Sequence, residues 1–157
     1  MSDLPKVVPM IAYEDGHAAI EWLTRVLGFE ERLRYESEDG SIGHAELELE
    51  GGLIMLATPT PEYQGPKRHR EACEAARRWS DNPYVIDGVL VSVGDVDGHF
   101  ERARAAGATI LREPEDQPFG DRLYTVEDLE GHRWMFSQHV RDVAPEEWGA
   151  QPTTSSR

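Results

Sequence analysis

The chain has 157 residues, 39% of them hydrophobic, and a formal charge of -14 at neutral pH. That length suits one domain, or two small units sharing a core, and the apolar content is too high for a disordered chain. The acidity argues against nucleic acid or an anionic membrane as a partner and is more simply a solubility feature.

The start, "MSDLPKVVPM", has no basic region followed by a long apolar run, so no signal peptide is expected. Nowhere does the chain approach the ~18 consecutive apolar residues of a membrane span. Residues 7–13, "VVPMIAY", predict a buried strand, with Pro9 placing it at an edge or a bulge. Asp15 can cap a helix over 17–27, because its carboxylate can accept the first free amide protons. Ala19, Ile20, Leu23, Val26 and Leu27 recur there at helical spacing, and Gly28 suits the C-terminal stop. "FEERLRYE" (29–36) and "HAELELE" (44–50) follow as strands around a turn. The second alternates, with Ala45, Leu47 and Leu49 on one face and His44, Glu46, Glu48 and Glu50 on the other. Gly51 and Gly52 turn the chain into "LIMLATP", which completes a β-α-β-β-β unit over 1–57.

Residues 58–87 form a linker rich in proline, polar and basic residues. Its stretch "KRHREACEAARRW" suits a short helix. It is either a solvated connector or a flap over a pocket, with Tyr63, Trp79 and Tyr84 as aromatic surface. The single cysteine, Cys73, lies here; it excludes an internal disulfide framework and suits a reducing cytoplasm.

The grammar then repeats over 88–140. "GVLVSV" is a strand, and Asp95 can cap a helix that stops at Gly107. "TILREPE", "RLYTVED" and "HRWMFSQ" supply three more strands. Asp15 matches Asp95, Gly28 matches Gly107, and Glu50-Gly51 matches Glu130-Gly131, at nearly equal offsets. Residues 141–157 form a tail.

The stretches "YEDGHAAIEWLTRVLGFEE", "VLVSVGDVDGHFERARAAGATI" and "GDRLYTVEDLEGHRWMF" resemble the vicinal oxygen chelate superfamily of glyoxalases, extradiol dioxygenases and bleomycin-resistance proteins. The resemblance covers roughly residues 6–140 and implies an α+β fold of tandem βαβββ modules, curved mixed sheets enclosing a ligand cavity, and a homodimer. It specifies the fold better than the chemistry.

Metal-dependent relatives take one ligand from the first and one from the last strand of each module, a His, Gln or Glu. Counting from the matched landmarks places those positions on Pro9, Met55, Gly88 and Met135. None offers a hard donor, and a thioether is a soft ligand better suited to Cu(I). No metal and no cofactor are therefore expected, and the resemblance points to the metal-free bleomycin-resistance-like branch.

If Met55 and Met135 face inward, alternation brings Leu53, Ala57, Arg133 and Ser137 to the same side. Ile11, Tyr13, Leu90 and Ser92 join them, with Arg122 and Tyr124 as further candidates. The candidate pocket is thus Tyr13, Met55, Ser92, Arg122, Tyr124, Arg133 and Met135, unless these side chains simply fill the space. The first functional reading is a cytoplasmic, metal-free protein that binds a small, partly aromatic molecule. The alternative is a lyase- or dioxygenase-type enzyme with an atypical or metal-free site. For that, His44 and Glu46 lie within reach of one another, although the same pattern marks any solvent-facing strand. A regulatory module without a ligand is the third.

Overall fold

A computed structural model describes residues 4–82 and 86–153, so Tyr84 lies outside the described residues. The first module runs β1 (Met10–Ala12), α1 (Gly16–Leu27), β2 (Glu30–Glu36), β3 (Ile42–Leu49) and β4 (Gly52–Ala57). Two short helices follow, α2 (Pro66–Ala72) and α3 (Glu74–Trp79). The second module runs β5 (Gly88–Ser92), α4 (Val96–Ala105), β6 (Thr109–Asp116), β7 (Asp121–Glu127) and β8 (Arg133–His139). A 3-10 turn, Pro145–Trp148, lies in what the sequence treats as a plain tail, and Trp148 packs there on Phe119 at 5.6 Å.

The two sheets have the same order, β1-β4-β3-β2 and β5-β8-β7-β6, with β1 and β5 parallel to their neighbours and the remaining pairs antiparallel. This is the α+β arrangement of tandem βαβββ units. The local causes are duplicated as well. Asp15 accepts from the Ala18 amide at 3.0 Å and Asp95 from the Gly98 amide at 3.0 Å, so each crossover helix begins on an aspartate cap. Helix α1 stops at Gly28, whose φ of 83° is open to glycine and costly for other residues. Strand β1 is shorter than "VVPMIAY" because Pro9 has no N–H; only its carbonyl joins the ladder, accepting from Met55 at 2.9 Å.

Both helices pack on the same side of their sheets, and one core joins the modules. Ala19, Leu23 and Leu27 meet Ala45, Leu47, Ile54 and Leu56 there, together with Phe100, Tyr124, Val126, Trp134 and Phe136. Each fully buried large side chain contributes about 1.5–3 kcal/mol. Phe29 from the first module meets Trp134 from the second edge-on at 5.5 Å.

The repeated acidic turns have a shared role across this junction. Glu130 accepts from the backbone amides of Glu14 at 2.6 Å and Asp15 at 3.0 Å, and Glu50 accepts from Gly94 at 2.9 Å. Each turn thus ties down the strand-to-helix corner of the opposite module. Beside it, the buried Asp128 carboxylate gathers the Tyr13 hydroxyl at 2.6 Å and the Trp134 indole N–H at 3.1 Å, plus the amides of Glu130 and His132.

Candidate functional site

Core-facing Ala45, Leu47, Ile54, Leu56, Tyr124, Val126, Trp134 and Phe136 define, by alternation, an outer face on each sheet turned away from the helices. On the first sheet, register aligns Met10, Met55, Glu46 and Leu33 in one row across β1, β4, β3 and β2. On the second, the same row reads Leu90, Met135, Thr125 and Arg112. Met55 and Met135 therefore occupy corresponding outer positions. Their first-strand neighbours are Met10 and Leu90, whereas Gly88 stands opposite Arg133.

Three clefts touch this region. One of 210 Å³ lies against Met10, Ala12, His44, Met55, Ala57 and Pro59. One of 450 Å³ lies between the β3–β4 hairpin and β5, and includes Phe29, Leu53, Leu90 and Ser92. A third, of 400 Å³, is bounded by Ile11, Pro66, Gly88, His132 and Arg133. Met55, Ser92 and Arg133 thus line three separate clefts.

Tyr13, Tyr124 and Arg122 line none of these three clefts, and Arg133 is tied up by its neighbours. Tyr13 follows the end of β1 and is fully buried on Asp128; burial, then the Asp128 carboxylate, raises its phenol well above the usual range. Tyr124 is fully buried on the helix side, its hydroxyl 2.6 Å from His99 Nδ1, and burial raises its pKa too. Arg122 pairs with Asp97 at 2.9 Å and Asp116 at 3.0 Å. Arg133 is on the outer side, but its Nε meets Glu127 at 3.0 Å and its terminal nitrogens donate to the carbonyls of Ser80 and Asn82.

Glu127 also receives both terminal nitrogens of Arg70, at 2.9 and 2.7 Å. Burial pushes its carboxyl pKa up, but the two guanidiniums outweigh burial and hold it below the usual range. Arg68 meets Glu14 at 2.8 Å, and the Lys67 amide donates to the Glu130 carbonyl at 2.9 Å. The α2–α3 segment is therefore held to both modules, with Tyr63, His69 and Trp79 around a 310 Å³ cleft of its own.

The paired positions around Met55 and Met135 are poorly equipped to hold a metal. Thioethers at Met10, Met55 and Met135, with an aliphatic Leu90, cannot replace the hydration of a hard divalent ion. Among the described residues, no three His, Cys, Asp or Glu side chains are grouped to hold a metal. The residues present do not fit the ion. His99, on α4, is partly buried between Tyr124 and the Leu27 carbonyl. Among the polar groups on the outer side is His44, whose Nε2 is 3.2 Å from Glu46.

Among the described residues, no helix is long and apolar enough to cross a membrane. Comparison with known proteins agrees with the architecture. The chain is 36% identical to TioX from Micromonospora sp. ML1, with a TM-score of 0.64 over 89% of this chain and 100% of that one. It is 33% identical to an uncharacterized protein of Mycobacterium bovis over 91% of this chain and 89% of that protein. TnmS3, an antibiotic binding protein from Streptomyces sp. CB03234, shares the fold at 16% identity and a TM-score of 0.58, over 88% of this chain and 98% of that one. The family model for the glyoxalase/bleomycin resistance protein/dioxygenase superfamily matches residues 7–136, and the chain belongs to that superfamily.

Proposed function

We propose that the protein binds a small, partly aromatic molecule on the outer faces of its sheets without a metal ion. The observation that carries this reading is the two pairs Met10–Met55 and Leu90–Met135, which bring adaptable apolar side chains together at corresponding places of the two sheets and offer no hard donor for an ion. Thioethers and aliphatics suit a flat apolar ligand, and His44 and Ser92 supply polar groups at the edges. That TnmS3 is an antibiotic binding protein on the same fold is consistent with a drug-like ligand.

A homodimer is part of the proposal. Met10 is 78% exposed, Tyr35 61% and Leu90 55%, all on strands close to these clefts. Side chains of that kind gain from cover by a second copy, which would also close clefts that stand open on one chain. The site is in the cytoplasm in this reading, and neither nucleic acid nor membrane is a partner.

A thermal-shift screen of aromatic antibiotics, cationic glycopeptides and aromatic metabolites tests the reading. A ligand held at a hundred times its Kd adds about 2.7 kcal/mol to stability and raises the melting temperature. Met55→Lys should abolish that rise while the protein remains folded. A screen in which no compound moves the melting temperature would overturn the proposal.

A further inference from the structure

His44 and Glu46 stand two residues apart on β3, on the side away from α1, and His44 Nε2 lies 3.2 Å from Glu46 Oε1. Glu46 is also held through its second oxygen, with Arg32 Nε at 3.6 Å. Its side chain is 11% exposed, against 36% for His44. The carboxylate is thus fixed and covered, and the imidazole is the member of the pair that lines the 210 Å³ cleft. A carboxylate accepts hydrogen bonds and does not donate them, so Nε2 carries the hydrogen. In the neutral ring Nδ1 then holds a lone pair. The other side chains of the cleft, from Met10, Ile11, Ala12, Met55, Leu56, Ala57 and Pro59, contain no N–H or O–H group.

We infer that His44 Nδ1 is the hydrogen-bond acceptor for a small, mainly apolar organic ligand that carries an N–H or O–H donor. This rests on the binding reading above and adds the polarity of the ligand to it. A ligand with acceptors only would cover a lone pair with another, leaving an imidazole nitrogen desolvated and unpaired. Glu46 acts as a positioning residue, since its contact sets which nitrogen carries the hydrogen. The cleft is smaller than the ~300–1,000 Å³ of drug-sized sites, so it takes one or two fused rings, or one end of a larger molecule.

Indole and benzofuran have nearly the same shape, and only indole carries a donor. NMR titrations of the full chain at pH 8 with each probe would follow the His44 ring nitrogens and the methionine methyl groups. Both probes should move the Met10 and Met55 methyl signals. Indole alone should move the Nδ1 resonance, and it should bind about tenfold more tightly, the worth of one net hydrogen bond. His44→Phe should remove that preference; the comparison on the wild-type chain stands without the variant. Equal affinities with equal methyl shifts would overturn the donor–acceptor assignment and leave the binding reading intact. Methyl signals that respond to neither probe would overturn both.

Discussion

The carboxylate of Glu130 closes on the backbone amide of Glu14 at 2.6 Å, joining residues 116 positions apart. With the Asp15 amide at 3.0 Å, it satisfies two donors at the start of the opposite module's helix. Burial raises the Glu130 pKa, so the bond is made by a carboxylate in a confined setting. Glu50 makes the related contact to Gly94 from a solvent-exposed position. Glu130→Ala should therefore cost about 2–4 kcal/mol, from two amides left unpaired, and Glu50→Ala under about 1 kcal/mol. Urea unfolding of the two variants compares them directly; equal losses would contradict the asymmetry.

Tyr13 tests the division between core and cleft. Its hydroxyl is spent on Asp128. Tyr13→Phe should lower stability by about 1–2 kcal/mol and leave ligand affinity unchanged. A large loss of affinity in that variant would place Tyr13 back in the binding surface.

Local signals made the fold legible, since aspartate caps, glycine stops and alternating strands are each written within a few residues. The direction of particular side chains was less so. Tyr13 keeps the parity of Ile11, which stands opposite core-facing Leu56, whereas Met10 is the neighbour of Met55, so only the pairing of β1 on β4 shows that Tyr13 falls on the core side. Tyr124 required the register of β7 on β8: Met135 stands opposite Thr125, so Tyr124 falls on the core side. The long-range contacts, Glu130 on Glu14 and Arg70 on Glu127, have no periodicity to announce them. Of the cleft chemistry, the pairing of His44 with Glu46 was readable from their spacing on one strand face, and the structure brings them to 3.2 Å.

His99 contributes a pH dependence of definite sign. Burial, aided by the Arg102 charge, lowers its pKa, and the Leu27 carbonyl and Glu50 only partly oppose this. As pH falls below about 6.5, the unfolded chain takes up a proton that native His99 resists. Stability from this residue therefore drops between that value and the lowered native pKa. His99→Gln should flatten this part of the profile in denaturant titrations from pH 7.5 to 5. An unchanged slope would show that His99 is protonated as readily in the folded chain.

The proposed dimer is checked at Leu90, which is 55% exposed on β5. Sedimentation equilibrium at tens of micromolar should give twice the chain mass of 17.7 kDa. Leu90→Asp should give the monomer with an unaltered circular dichroism spectrum, because an exposed position tolerates charge and an apolar interface does not. A monomeric wild-type chain would contradict the proposal.

Binding without a metal is the central claim, and the metal content of untagged protein tests it most directly. The paired positions Met10–Met55 and Leu90–Met135 offer thioethers and aliphatic carbon, and a divalent ion stripped of water needs several charged or strongly polar ligands. Elemental analysis should find well below one equivalent of Ni, Zn, Mn or Fe per chain, and chelation should change neither the melting temperature nor the affinity for a ligand found by screening. Near one equivalent of a transition metal, removed by a chelator together with binding or with a newly detected turnover, would contradict the account.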